Sequence, residues 1–555
     1  MSSPTGDEAN GTLATFAECL DDYFRSCQRR VLPLVDRQPW TELAVNPAIR
    51  YERLFADLEE GAEFHRASAA FEGILSAEDK KGSIGTSGGP RYRRHLSSFL
   101  RSKGAYESLI SGRDLKGVEM ASAARAELQR PDTRTLHVAF LENFRCEASR
   151  VECGHFAIRR LTEEEIKKGF VGFDKLRWRS DPVAVVTALE DEYFVVMEKP
   201  AESLVHAWKD FPIALHDAFH RLRHVNLALN LLKDSSGPVM IRQTFAWNSS
   251  AFDGRVAESP AVGDDLYPST WGGPSDEPPR IQQYELVEGD IEQLRDLWVR
   301  LEESLFRQVA VVPTFLHRAI DRFLRACQWR RTDWPFRHLL YVMSLEAIWC
   351  PESDEELVVG ASNRKDLGRA ATLASCCSKL VAERPDTAAR LDRWLKDAYR
   401  ARSRFAHAWT LESETFMARV GDQSWREQMA ALLAELGIEE RCLWEEPDYE
   451  IAVLHNLARR SILLGIGQFL RVAVTPKARR ILGEIRRIDS QRPQGRRLPP
   501  KLDQRREDLL REHEDLQRAS KRKLLQEIEN SYGSESRRQT IRAELLAPLQ
   551  LSRGI

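Results

Sequence analysis

The sequence predicts an α+β fold, with a mixed α/β N-terminal region, then an all-α helical bundle, then a charged helical tail. Three observations predict it. Apolar residues recur at three- and four-residue spacing in the first 130 residues and again after residue 286. Runs of β-branched and aromatic residues fill the stretch between these two parts. Charged side chains dominate the end of the chain.

These changes in residue spacing and composition predict four regions. They are an N-terminal helical region at 1–130, an α+β sensor or substrate-binding region at 131–285, an all-α domain at 286–474 and a basic helical tail at 475–555. From Thr475 onward, 20 Lys and Arg residues stand against 12 Asp and Glu, although the whole chain has a net charge of −2. A basic tail on an acidic body indicates a polyanionic partner such as nucleic acid.

The composition is that of a globular protein, with 42% hydrophobic and 30% charged residues. No apolar run reaches the ~18 residues that a membrane-spanning helix needs, and "MSSPTGDEANG" lacks the pattern of a signal peptide. The nine cysteines show no C-x-x-C spacing, so neither a disulfide framework nor a zinc ribbon is indicated. We therefore expect a cytoplasmic protein with no membrane partner, no metal and no cofactor.

Each element has its own pattern. "LATFAECLDDYF" and "YERLFADLEEGAEF" predict the N-terminal helices, and the glycine-rich Lys80–His95 lacks the residue order of a phosphate loop. "TLHVAFLENF", "CGHFAIRRLT", "DPVAVVTAL", "EYFVVMEKP" and "PVMIRQTFAW" predict strands. Ser249–Pro279 predicts a surface loop or linker. The helices of the all-α part are predicted to begin near Asp290, Thr314, Trp334, Asp366, Thr387 and Asp448.

The helix predicted from Thr387 carries an unusual pair, Arg402 and His407. Arg402 lies eleven residues after Leu391 and therefore falls on the apolar stripe, where a guanidinium needs a partner or a cleft. His407 is ~140° further around an ideal helix. The two side chains converge only if the helix bends or ends, or if two copies of the chain meet there.

The spacing by itself is weak, because about one Arg-x4-His match is expected by chance in a chain of this length. There are two, and the other, Arg150–His155, lies where strand and turn are predicted. The structural alternative is that Arg402 pairs with a core carboxylate such as Glu346 and that His407 is an ordinary helix-end histidine.

The surrounding residues favour a site. "AYRARSRFAHA" resembles the Arg-polar-x3-His signature of the HEPN superfamily, in particular its ApeA-like branch. "RHLLYVMSLEAIW", "LHRAIDRFLRACQWR" and "NLARRSILLGIGQFL" are similar to helices of the same family, so the resemblance covers about residues 286–474. It implies an all-α bundle that forms a homodimer and cleaves RNA, such as tRNA, without a metal. It also implies a role in prokaryotic antiviral defence, as in abortive infection, with an unknown trigger bound by the N-terminal region.

The chemistry that the resemblance implies suits these residue types. Arg402 and His407 would be catalytic, because a histidine exchanges protons near neutral pH and an arginine keeps its charge while it clamps phosphate. Four residues would support them: Glu346 on the preceding family helix, Ser403 and Arg404 by positioning the backbone, and Tyr399 by stacking on a base. The candidate RNA clamp of the tail consists of Arg496, Arg497, Arg505, Arg506, Lys521, Arg522 and Lys523.

Several alternatives stay open. Ser403 and Ala408 stand where many family members have Asn or His and Gly, which favours a non-catalytic module that binds RNA or protein. His216, His220 and His224 recur every four residues, and adjacent pairs suit a metal on one helix face. Cys146, Cys153 and His155 could supply three metal ligands, but no fourth is evident nearby. The tail cations are equally consistent with a solvated helix balanced by its own glutamates.

Overall fold

The computed structural model describes most, but not all, of the chain. The described ranges are 6–35, 57–78, 96–128 (without 98, 101–102 and 111), 134–170, 189–200, 221–248 (without 236), 256–258, 284–306, 311–328, 334–351, 365–408 (without 383), 423–437 (without 436), 446–491, 498–531 and 534–549. The chain divides into two compact units. The first is Met1–Ala139, Arg159–His220 and Gln243–Ser259, and the second is Phe140–Ile158, Arg221–Arg242 and Pro260–Ile555.

The N-terminal part of the chain is helical, as its spacing predicts. Its helices are α1 (Gly6–Val35), α2 (Ala62–Glu78), α3 (Ala105–Ile110) and α4 (Gly117–Leu128). Their apolar stripes meet in a core of buried aromatic residues. The rings of Phe16 and Phe71 lie 5.6 Å apart, and those of Tyr23 and Phe64 lie 5.1 Å apart. Burial of such large rings is the main stabilising contribution in this region.

Strands follow from residue 134 onward. They are β1 (Arg134–Glu142), β2 (Phe144–Cys146), β3 (Arg150–Cys153) and β4 (Phe156–Arg159), then helix α5 (Glu163–Phe170) and β5 (Phe194–Pro200), then helix α6 (221–232), β6 (Met240–Asn248), β7 (Val256–Glu258) and β8 (Tyr284–Leu286). Six of them form one sheet in the order β3-β4-β5-β1-β6-β7, and β2 and β8 form a second. β6 and β7 are antiparallel, with Phe245 opposite Ala257.

The two-stranded sheet ties distant parts of the second unit together. β2 and β8 run parallel, with Phe144 opposite Tyr284, and the rings of these two residues stack at 6.0 Å. The hydroxyl of Tyr284 donates to the carbonyl oxygen of Leu229 on α6, at 2.8 Å. β2, β8 and α6 therefore share one core, although no local sequence pattern specifies their contact.

The all-α part consists of seven helices among the described residues. They are α7 (Glu288–Leu301, continued by a π-helical turn, Glu302–Phe306), α8 (Thr314–Gln328), α9 (Trp334–Trp349), α10 (Lys365–Val381), α11 (Pro385–Ala408), α12 (Gln423–Glu435) and α13 (Glu446–Ala473). α13 is central and buried over most of its length. Its Arg459 is fully buried, and both Arg459 and Arg460 pair with Asp234, at 3.3 and 2.7 Å.

The tail is helical, with α14 (Pro476–Ser490), α15 (Pro500–Asn530) and α16 (Glu535–Leu546, then a short 3₁₀ turn, Ala547–Leu549). Thr475 caps α14, because its hydroxyl accepts from the amide of Ala478, and Pro476 occupies the first turn. α16 approaches α13 so closely at Gly467 that an added Cβ would clash with the carbonyl oxygen of Leu545. The tail therefore packs on the bundle rather than standing apart from it.

The predicted α+β class is confirmed, because the described residues are mostly helical and their strands are confined to 134–286. Among the described residues, no helix is long and apolar enough to span a membrane. One local prediction is wrong: β7 lies inside Ser249–Pro279, which the sequence assigns to a loop. Its three residues are too few to show a period, and pairing with β6 makes them a strand. Two predictions lie outside the described ranges: the glycine-rich segment at 80–95 and most of the strand predicted for "DPVAVVTAL", at 181–188.

Candidate functional site

Helix α11 carries the segment that the sequence singles out, and its backbone is helical as far as Ala408. Leu391, Leu395 and Ala398 are buried, and Arg402 continues the same stripe, with only 18% of its side chain exposed. The prediction that Arg402 faces inward is confirmed. A guanidinium in this position needs partners, because the charge is largely removed from water.

Those partners meet at Glu346 on α9. Nη2 of Arg402 lies 3.0 Å from Oε2 of Glu346, and Nη1 of Arg369 lies 3.1 Å from Oε1. The hydroxyl of Tyr399 donates to Oε1 as well, at 3.3 Å, and the Tyr399 ring centroid lies 5.5 Å from the guanidinium carbon of Arg402. Burial, helped by the charge of Glu346, raises the pKa of Tyr399 to about 12, so its hydroxyl keeps the proton that it donates.

Arg402 and Glu346 line a cavity of about 200 Å³ in the second unit. Five helices, α8, α9, α10, α11 and α15, contribute its walls. The lining residues are Phe315, Arg318, Arg322, Glu346, Ala347, Cys350, Pro351, Arg369, Arg402 and Lys521. Five of these carry a positive charge and one carries a negative charge, so the cavity attracts anions.

The cations are close enough to influence one another. Burial lowers the pKa of Arg322; the positive charges of Arg318 and Arg402 lower it further, while Glu346 acts in the opposite direction. Nη1 of Arg322 donates to the carbonyl oxygen of Met343 on α9, at 2.9 Å, which holds its side chain against this wall. An anion that entered the cavity would relieve this repulsion between like charges.

Lys521 enters the cavity from the tail helix α15. It is only 6% exposed, and Nζ donates to the carbonyl oxygens of Ala347 and Cys350 at 2.8 and 2.6 Å, with the Phe315 ring centroid 4.6 Å away. These carbonyls belong to the C-terminal end of α9, where a helix leaves its last acceptors unsatisfied and favours a cation. Lys521 therefore caps the helix that carries Glu346, a position different from the exposed clamp that the sequence suggested.

The other tail cations mostly have carboxylate neighbours. Arg505 pairs with Glu484 at 2.9 Å, Arg506 with Asp489 at 2.6 Å, and Lys523 with Glu527 at 3.8 Å. Arg522 is exposed on α15. Arg496 and Arg497 lie outside the described residues. The pairs match the alternative that the sequence left open, in which local glutamates and aspartates balance the tail.

For the remaining residues of the motif, the structure describes the helical backbone but not every side chain. Ser403 is half-buried on α11, and the side chains of Arg404 and His407 lie outside the described residues. α11 does not end between Arg402 and His407, so an ideal helix separates their Cα positions by ~140° around its axis. Of the three ways in which the pair was expected to converge, termination of the helix between the two residues is therefore ruled out.

The structure describes only part of the histidine cluster that the sequence offers as a metal site. Within the described ranges, no group of three or more His, Cys, Asp and Glu residues could hold a metal ion. His216 and His220 lie outside those ranges, and His224 stacks on Phe306 with ring centroids 3.8 Å apart.

The cysteine cluster, Cys146, Cys153 and His155, is also not a metal site among the described residues. Burial raises the pKa of Cys153 to about 12 and also raises that of Cys146, so both thiols stay protonated at neutral pH. His155 is exposed in the turn between β3 and β4.

Sequence reasoning missed three charged residues of the cavity, Arg318, Arg322 and Arg369. A signal for two of them was available, because Phe315, Arg318 and Arg322 follow three- and four-residue spacing and so share one face of α8. Arg369 gave no local signal, since only the packing of α10 against α9 brings it to Glu346.

Comparison of the chain with protein-family models, with curated proteins and with solved structures gave no match in any of the three.

Proposed function

We propose that this chain is a metal-independent endoribonuclease of the HEPN type, with Arg402 and His407 as its catalytic residues. The observation that supports it most directly is the placement of Arg402 on the wall of a cavity that five cations and one carboxylate line. Such a cavity selects phosphate groups by charge, and arginine binds them in fork geometry. The motif residue that the resemblance assigns to phosphate therefore lies in surroundings suited to phosphate.

The reaction needs little from the protein, because RNA carries its own nucleophile. The ribose 2′-oxygen attacks the adjacent phosphorus, the bond from phosphorus to the 5′-oxygen breaks, and a 2′,3′-cyclic phosphate and a 5′-hydroxyl result. Holding these atoms in line supplies much of the rate. His407 would take the proton from the 2′-hydroxyl or give one to the leaving 5′-oxygen, and Arg402 would stabilise the charge that develops on the phosphate.

A homodimer completes this site. The resemblance implies that two copies of the helix that carries Arg402 and His407 pair across a two-fold axis, which would bring both residue types into one cleft. The trigger-binding N-terminal region, the role in antiviral or toxin-like defence and the cytoplasmic location form part of the same proposal. RNA substrates are abundant in that compartment.

Glu346 would compete with the substrate phosphate for the guanidinium of Arg402. Arg402 would leave Oε2 of Glu346 when phosphate arrives, while Arg369 and Tyr399 continue to satisfy Oε1. The exchange costs little, because one charge-assisted hydrogen bond replaces another of similar strength.

The chemistry of the product ends tests the proposal. Purified protein is incubated in EDTA with total tRNA and with a defined RNA oligonucleotide, beside the same oligonucleotide with 2′-deoxyribose at the cleaved position. We expect fragments that end in 2′,3′-cyclic phosphate from the RNA and none from the deoxy-substituted chain. Cleavage of the deoxy-substituted chain, or fragments only when Mg²⁺ is added, would contradict 2′-hydroxyl attack without a metal.

A second candidate function is a non-catalytic module that binds RNA. The ion pair of Arg402 with Glu346 favours it, because this contact satisfies Arg402 within one chain and gives it a structural role. The two functions differ in one outcome. A binding module retains RNA and never produces cyclic phosphate ends, whether it is tested as wild type or as His407→Ala.

A further inference from the structure

The charge of the cavity exceeds what the scissile phosphate requires. Five cationic side chains and one carboxylate leave an excess of four positive charges, whereas each phosphodiester of a nucleic acid carries one negative charge. A single phosphate on Arg402 would leave most of this charge uncompensated. The surplus indicates that more than one phosphate approaches the cavity.

The size of the cavity restricts what enters it. Its volume of about 200 Å³ is below the range of roughly 300–1,000 Å³ that is typical of sites for whole small-molecule ligands. Phosphate groups fit such a space, while the nucleosides that they join stay outside it. The lining therefore recognises a backbone and not a base.

Two of the five cations are on α8. Arg318 and Arg322 are four residues apart, so they lie on one face of the helix with a rise of about 6 Å between their Cα atoms. Arg318 is exposed and Arg322 is half-buried, with one of its five N–H groups donated to Met343. Arg318 and Arg322 line the cavity, while the hydrogen bonds of Glu346 go to Arg402, Arg369 and Tyr399.

We propose that Arg318 and Arg322 form a second phosphate subsite, which binds the phosphate adjacent to the scissile one in a single-stranded RNA. The subsite rests on the proposed ribonuclease function for the identity of its neighbour. It makes the preferred substrate an RNA with at least two consecutive phosphates. Binding of the second phosphate aligns the first, which raises the rate of the chemical step as well as affinity.

Short substrates test the subsite. The value of kcat/KM is measured in EDTA for a dinucleoside monophosphate and for the same compound with an additional phosphate at its 5′ end or at its 3′ end. We expect the phosphate at one of these ends to raise kcat/KM roughly tenfold, the effect of one charge-assisted contact. In Arg318→Ala this gain is lost, and in Arg318→Lys it is partly restored.

Arg325→Ala is the matched control. Arg325 lies on α8 one turn beyond Arg322, is 59% exposed and pairs with Asp321 at 2.9 Å, and it does not line the cavity. This variant should keep the full gain from the additional phosphate. A gain that survives in Arg318→Ala, or that is absent from the wild type although the dinucleoside is cleaved, overturns the subsite and leaves the ribonuclease function standing.

Binding separates the two proposals when no cleavage is seen. The affinity of deoxy-substituted, uncleavable versions of the three compounds is measured by calorimetry. Tighter binding of a compound with the additional phosphate by the wild type, but not by Arg318→Ala, supports the subsite even if the ribonuclease function fails. Equal affinity of the wild type for all three compounds overturns it.

Discussion

Arg402 on α11 donates to Glu346 on α9 across 3.0 Å, and this contact joins the residue that we propose as catalytic to a carboxylate two helices earlier in the chain. The carboxylate also accepts from Arg369 and Tyr399. It reduces the positive charge of the cavity and occupies the guanidinium that would bind phosphate. The pair is therefore a stabilising contact that an incoming phosphate has to replace.

Removal of the charge on Glu346 should strengthen RNA binding. Glu346→Gln keeps the shape of the side chain and releases Arg402, so we expect affinity to rise about fivefold, equivalent to about 1 kcal/mol. The measurement is fluorescence anisotropy with an RNA oligonucleotide, in a His407→Ala background that prevents turnover. Glu435→Gln is the control, since Glu435 pairs with Arg390 and does not line the cavity. Weaker binding by Glu346→Gln would show that Glu346 supports RNA contact instead of opposing it.

Lys521 should contribute far more to the free energy of unfolding than Lys523, which lies two residues further along α15. Lys521→Met keeps the apolar stem and removes the cap on α9, so we expect a loss of about 2 kcal/mol in the free energy of unfolding of this unit. Lys523→Met should cost less than about 0.5 kcal/mol, because Lys523 is 78% exposed and its pair with Glu527 is a surface one. Urea unfolding followed by circular dichroism compares the two. Equal midpoints would refute the capping role.

The salt dependence of RNA binding distinguishes the cavity from the tail. Arg402→Ala should reduce the slope of log K against log salt concentration by about 0.7, the value for one phosphate contact to a single strand. Arg505→Ala should change it much less, because Arg505 does not line the cavity where we propose that phosphate binds. Binding isotherms at four salt concentrations give both slopes. A larger effect from Arg505→Ala would favour the tail as the RNA clamp.

His455 should make the bundle less stable in mild acid. It is fully buried, and burial together with Arg337 and Arg459 lowers its pKa to about 3. Below the ordinary value of ~6.5 the unfolded chain binds a proton that the folded chain does not, so stability falls as the pH drops. Between pH 7 and 5.5 the free energy of unfolding should therefore fall by about 1 kcal/mol.

The variant His455→Gln isolates this contribution. Its urea midpoint should fall less than that of the wild type between pH 7 and 5.5, by an amount equivalent to about 1 kcal/mol. Some dependence should remain, because burial also lowers the pKa of His513. His155→Gln, at an exposed position, should behave as the wild type. Identical pH dependence in wild type and His455→Gln would contradict the assignment.

The helices were predictable because their signal is local. Apolar spacing located α8 to α11 and α13 to within a few residues, and the stripe through Leu391 correctly placed Arg402 on the inner face of α11. The pair of Arg402 with Glu346 was named beforehand as the structural alternative to a catalytic site, because a buried guanidinium requires a compensating charge.

The cavity was not predictable, since it depends on long-range packing. Arg369 reaches Glu346 only through the contact of α10 with α9, and Lys521 comes from a tail helix more than 170 positions after the carbonyls that it caps. A cluster of three basic residues in a charged tail indicates solvent exposure, yet the first of them is buried. Periodicity shows which face is apolar, but not which helix covers it.

The central claim is that Arg402 and His407 catalyse RNA cleavage without a metal. Its most direct test is the initial rate of RNA cleavage in EDTA. This rate is measured for the wild type, Arg402→Ala, His407→Ala and the double variant Arg150→Ala/His155→Ala. The last variant is the matched control, because it removes the other Arg-x4-His pair, which lies in strand and turn. We predict a loss of at least roughly a hundredfold in each of the two α11 variants and an unchanged rate in the control. Cleavage at the wild-type rate by folded Arg402→Ala or His407→Ala protein would contradict the account.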